Sequence, residues 1–139
     1  MQQEFKTPIP VVSCAVVNNS RVLLLRRAID PFPGKWAFPA GHVEPGESAE
    51  ASIVRELKEE TNLDLEVRYL FSMGLEVENG NAYLSMTFVA YTDVDDVTID
   101  EESLDWQWVP LETLALEHVD WAFPNHRKIA KALSTGAMS

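Results

Sequence analysis

Glu56, Glu59 and Glu60 stand together in the run RELKEE, residues 55–60. Successive helical residues turn by about 100°, so these carboxylates fall within an arc of roughly 100°. Carboxylate oxygens gathered on one rigid face suit hard divalent cations such as Mg2+. The crowding is poor for stability. Like charges three or four residues apart cost a helix about 0.2–0.5 kcal/mol per pair. The run also lies in the C-terminal half of its helix, where the dipole disfavours anions. An acidic helical run standing alone is usually a solvated face, and Arg55 could soften it by pairing with Glu59 at i, i+4. The glutamates by themselves leave both readings open.

The upstream spacing decides between them. Gly41 stands six positions before Glu47, and Glu47 stands eight before Arg55. Residues 41–63 read GHVEPGESAEASIVRELKEETNL. This stretch closely resembles the Nudix box: a glycine, five residues, a glutamate, seven residues, then Arg-Glu-apolar-x-Glu-Glu-x-Gly-apolar. Gly41, Glu47, Arg55, Glu56, Leu57, Glu59, Glu60 and Leu63 occupy its positions. Asn62 replaces the box glycine, which removes no ligand and keeps a residue tolerant of left-handed geometry. The lead-in KWAFPAGHVEPGES resembles the family's Trp followed by an apolar-Pro-Gly-Gly turn, with Ala40 where glycine is commoner. WQWVPLETL resembles its later strand ending in Trp-apolar-Pro, so the likeness covers most of residues 10–130.

The resemblance implies a metal-dependent hydrolase that cleaves a diphosphate linkage in a nucleoside diphosphate derivative. It implies Mg2+, with Mn2+ as the alternative, held by Glu56, Glu59, Glu60 and the Gly41 carbonyl. Glu102, slightly ahead of Glu101, is the candidate ligand from outside the box. Glu56 is favoured as general base, with Glu59 and Arg55 completing the catalytic set. Arg55 would act by orienting Glu47 and Glu59, because one guanidinium fork can hold two carboxylates. PFPGKWAFPAGHVEPGES resembles members acting on ADP-ribose, nucleotide sugars or dinucleotides. Members that clear (d)NTPs carry similar stretches and form the alternative. A nucleotide-binding module without turnover is a further one, disfavoured because every box carboxylate is present.

Outside the box, Arg26 and Arg27 close a strand, and neighbours on a strand face opposite ways. One of them could therefore point toward the site and bind phosphate, with a plain surface arginine as the alternative. Phe32 and Trp36 are candidates to stack a base, whereas Phe38 belongs in the core. Trp121 and Phe123 stay open for either role. His42, His118 and His126 have no metal-ligand spacing and read as ordinary loop and helix residues.

These residues need a scaffold. IPVVSCAVV, residues 9–17, reads as a buried strand, Asn18-Asn19-Ser20 as a turn and RVLLLRR, residues 21–27, as its hairpin partner. Residues 28–35 form a Pro- and Gly-bearing loop, and WAFPAG, residues 36–41, is one short extended piece. Ser48 is the expected N-cap of a helix over 49–61, with Ile53, Val54 and Leu57 on one side and Asn62 ending it. LDLEVRYLF (63–71) and NAYLSMTFVAYTD (81–93) read as strands, and DVDDVTIDEES (93–103) as an acidic loop. WQWVP (106–110) is a short strand, LETLALEHV a short helix or turn, and FPNHRKIAKAL (123–133) a C-terminal helix. The order implies an α/β (α+β) domain. The family resemblance sharpens this to an α/β/α sandwich with a mixed β-sheet and the box as loop-helix-loop.

The 139 residues fit one domain spanning 1–139. A net charge of −11 repels nucleic-acid backbones and anionic membranes, yet leaves room for a small nucleotide once a cation inverts the local field. No apolar run approaches the roughly 20 residues of a membrane span, and MQQEFKTPIP lacks the apolar stretch of a signal peptide. Cys14 is the single cysteine, expected as a buried thiol, which fits a cytoplasmic setting. The resemblance leaves room for a homodimer using the N-terminal segment.

Overall fold

The computed structural model describes residues 7–78, 80–116 and 118–136, and side chains are not described at 75–78. The N-terminal segment 1–6, weighed as a dimer contact, lies outside the described residues. Valine-rich β1 (Ile9–Asn18) turns through Asn19 and Ser20 into β2 (Arg21–Arg27). Both turn residues are left-handed, at φ 51° and 63°, as a tight two-residue hairpin requires.

β1 and β2 pair only at Val17–Val22 and Asn18–Arg21, then diverge. The lead-in segment fills the fork. It is two strands rather than the single extended piece expected. β3 (Trp36–Ala37) pairs with β2, and β4 (Ala40–His42) pairs with β1. Between them the Cys14 amide donates to the Pro39 carbonyl at 3.0 Å. Ala40, Gly41 and His42 lie opposite Ser13, Val12 and Val11.

Helix α1 (Ala49–Thr61) follows, then β5 (Arg68–Glu78), β6 (Asn81–Tyr91), β7 (Ser103–Pro110), a 3-10 turn (Leu111–Thr113) and α2 (Pro124–Ser134). Among the described residues one mixed sheet runs β3-β2-β1-β6-β5, with β4 on β1 and β7 on β2. β1 and β6 are parallel from Ile9–Tyr83 to Val17–Tyr91.

Two expected boundaries move. β5 begins at Arg68 rather than Leu63, because the ladder to β6 starts at Arg68–Val89. Leu63, Leu65 and Val67 instead pack against the α1-side core without joining the ladder. β7 begins at Ser103 rather than Trp106, because β2 offers partners down to Arg27.

Strand alternation builds a core on each face of the sheet. Val12, Cys14 and Val16 of β1 with Leu23 and Leu25 of β2 meet Ile53 and Leu57 of α1. Ala15, Val17, Val22 and Leu24 face the other way, toward Ile129, Ala130 and Leu133 of α2. The result is the α/β/α arrangement. Cys14 is fully buried, and that burial pushes its thiol well above the ordinary range.

Candidate active site

Helix α1 is defined by its own ends. Ser48 Oγ accepts from the Ala51 amide at 3.0 Å, and Asn62 ends the helix in left-handed geometry at φ 61°. Ile53 and Leu57 are fully buried beneath it, with Val54 only half-buried. That anchorage turns Glu56 and Glu60 toward the lead-in strand and leaves Glu59 exposed.

Arg55 organises the carboxylates. It donates to Glu47 twice, Nε to Oε2 at 2.9 Å and Nη2 to Oε1 at 3.0 Å. Its Nη1 donates to Glu56 Oε1 at 2.9 Å and to Glu59 Oε2 at 3.3 Å. Nη2 also reaches the His42 carbonyl at 3.4 Å, tying the helix to β4. Glu47 accepts further bonds from Ser52 Oγ at 2.9 Å and the Glu44 amide at 3.3 Å. The bonds from Arg55, then that from Ser52, hold its carboxyl down at about 2.

Gly41 lies directly against Glu56: a Cβ built there would overlap its carboxylate. Only glycine lets the β4 backbone approach so closely. The Ala40 amide donates to Glu60 Oε2 at 3.2 Å. Burial pushes the Glu60 carboxyl well above its usual range, and the charges of Glu56, Asp100 and Glu102 push the same way. Glu56 is raised as well, chiefly by burial, with Arg55 opposing.

Glu102 reaches this group from the start of β7. Its carbonyl accepts from the Ala28 amide at 2.8 Å, and its amide donates to Asp100 Oδ1 at 3.0 Å. Glu60, Glu102 and Arg27 line one small cleft with Ala40 and Phe38. Of the two arginines, Arg27 is therefore the one beside the carboxylates; burial lowers its pKa, and the charges of Glu60 and Glu102 oppose that in part. Both arginines also hold the 28–35 loop. Arg26 Nε donates to the Gly34 carbonyl at 2.9 Å, and Arg27 Nε to the Pro31 carbonyl at 2.7 Å. Arg27 also sits over the Phe123 ring, 4.9 Å from its centroid.

Phe32 projects from that loop with φ 62°, a left-handed conformation that costs a bulky side chain about 1–2 kcal/mol. It is 42% exposed. Trp36 is partly buried against the α2-side core and Trp121 belongs to that core. Phe38 is buried, as expected.

His126 departs from its expected role as an ordinary helix residue. It is buried among Phe38, Trp121 and Phe123, and its Nδ1 accepts the Phe38 amide at 3.1 Å. Burial, with Arg27 nearby, lowers its pKa to about 3, so the ring is neutral. It ties α2 to the lead-in segment. The FPNH sequence carries no local sign of this, because the partner lies 88 residues away.

The donor set fits a hard divalent cation. Glu56 and Glu60 project from one helix, and the charges of Glu56, Asp100 and Glu102 crowd Glu60, with Arg27 beside it in the same cleft. Among the described residues no three of these groups yet close on a common point, since Glu56 and Glu59 are both turned onto Arg55.

A family model described as NUDIX domain matches residues 7–133. The chain belongs to the Nudix family. The nucleoside triphosphatase NudI of Enterobacter sp. (strain 638) is 32% identical over 74% of this chain and 83% of that protein. The ADP-ribose pyrophosphatase of Methanocaldococcus jannaschii is 39% identical over 48% of this chain and 39% of its own length. The first relatives matched are spanned by this chain over 28% to 83% of their length. Among solved structures, a MutT protein from Methanosarcina mazei Go1 superposes with a TM-score of 0.81 at 25% identity, covering 98% of this chain and all of that one. This Nudix chain is a pyrophosphohydrolase by family. Among its described residues no helix is long and apolar enough to cross a membrane.

Proposed function

We propose that this Nudix domain hydrolyses the diphosphate linkage of a nucleoside diphosphate derivative, of the ADP-ribose, nucleotide-sugar or dinucleotide type. The observation that carries the reading is the cleft that Glu60 and Glu102 line together with Arg27, with the Glu56 charge acting on both glutamates from beside it. Glu56, Glu59, Glu60, Glu102 and the Gly41 carbonyl would hold Mg2+, or Mn2+ in its place. A bound cation there supplies charge neutralisation and water activation. Glu56, pressed against the Gly41 backbone, takes the proton of the attacking water. Arg55 aims Glu56 and Glu59, and Glu47 holds Arg55. Arg27 receives phosphate oxygens on the side away from the loop carbonyls, while Arg26 supports the loop.

A nucleoside triphosphate is the second reading. It is favoured by the NudI relative, whose match runs along more of both chains than that of the ADP-ribose pyrophosphatase. Chromatographic detection of the nucleoside monophosphate formed with Mg2+ across ADP-ribose, nucleotide sugars, NADH and (d)NTPs separates the two, the co-product being a second monophosphate from the first three and pyrophosphate from the triphosphates. Turnover of the first three classes supports the leading proposal, and turnover of triphosphates alone supports the second. Failure on every substrate, with tight nucleotide binding, would leave a binding module in place of both.

A further inference from the structure

We propose that Phe32, braced edge-to-face by Phe123, is the platform on which the substrate's nucleobase stacks, an assignment that rests on the nucleotide reading above. Phe32 stands outside both cores and is 42% exposed. Its left-handed backbone, φ 62°, is unfavourable for a side chain of this size. The loop is nevertheless closed on it: the Lys35 amide donates to the Phe32 carbonyl, and the Gly34 amide to the Arg27 carbonyl. Strain held in place by such bonds around an exposed aromatic serves presentation of the ring rather than packing.

The position of the ring completes the argument. Phe123 meets Phe32 at 6.1 Å with ring planes 80° apart, and Arg27 lies over Phe123. Arg27 in turn shares the cleft of Glu60 and Glu102. The order in space is carboxylates with arginine, then the aromatic pair, which follows the order of diphosphate, then base, in a nucleotide. Lys35 Nζ lies over the Phe32 ring, 5.6 Å from its centroid. Of the other candidates, Trp36 packs against the α2-side core and Trp121 belongs to it. Stacking reads the flat face that every base offers, so the platform selects for a base without naming which one.

The test is titration calorimetry in Mg2+ buffer with AMP, GMP, CMP, UMP and the base-free ribose 5-phosphate. Phe32→Gly relieves the left-handed strain and so keeps the fold. It should weaken nucleotide binding about tenfold, leave ribose 5-phosphate unchanged, and be rescued by Phe32→Tyr. Equal loss for ribose 5-phosphate, unchanged nucleotide affinity in Phe32→Gly, or no nucleotide binding by the wild type would each overturn the proposal. Binding that follows the expected pattern without hydrolysis of any substrate retires the catalytic reading and leaves the stacking assignment standing.

Discussion

Arg55 spends two bonds on Glu47 and shares its remaining nitrogen between Glu56 and Glu59. A lysine keeps the charge and loses the fork. Arg55→Lys should therefore lower kcat about tenfold or more while KM changes less, measured on whichever substrate the panel identifies. Glu47 carries the pH signature. Its folded pKa, about 2, lies below the ordinary 4.5, so its contribution is complete above 4.5 and disappears as pH falls through 2. Melting temperature against pH should show wild type above Glu47→Gln at neutrality, with the gap closing between those values. Glu60 has the opposite character. It is crowded by Glu56, Asp100 and Glu102, so Glu60→Gln should melt a few degrees higher than wild type in EDTA. Mg2+ should raise the wild type and not the variant. A variant that still hydrolyses at near wild-type rate would remove Glu60 from the ligand set.

The box is legible because its signals are local. Ser48 caps, Asn62 terminates, and the glutamates follow one helical face, all within a single element. Position 41 is the exception: the sequence marks a glycine, but only the packing of β4 against α1 shows that it makes room for Glu56. Gly41→Ala should thus cost most of the turnover. Circular dichroism of the variant should still report a folded protein, because the clash is with the Glu56 side chain rather than with the sheet. The split of WAFPAG into β3 and β4 was not legible, nor was the late start of β5 at Arg68. Both are decided by where partner strands pass, information that no window of neighbouring residues holds. His126 was missed for the same reason, since its role is defined by a distant amide.

The two cores make separate demands on the whole molecule. Leu57 lies under the carboxylates on the α1 side, and Ile129 on the α2 side, both fully buried. Leu57→Ala and Ile129→Ala should each cost about 2–5 kcal/mol in denaturant unfolding. Only Leu57→Ala should also lower kcat when assayed well below its melting temperature, since it loosens the helix that carries the glutamates. The −11 net charge favours approach of divalent cations and opposes that of nucleotides, so cation loading should precede substrate capture. β1 has a further consequence, for synthesis on the ribosome. Its long parallel edge waits for β6, which leaves the exit tunnel only after the whole box has done so. The capped helix can form early, yet its carboxylates acquire their fixed surroundings only when that late strand arrives. A nascent chain stalled before residue 81 should hold the complete motif and no working centre.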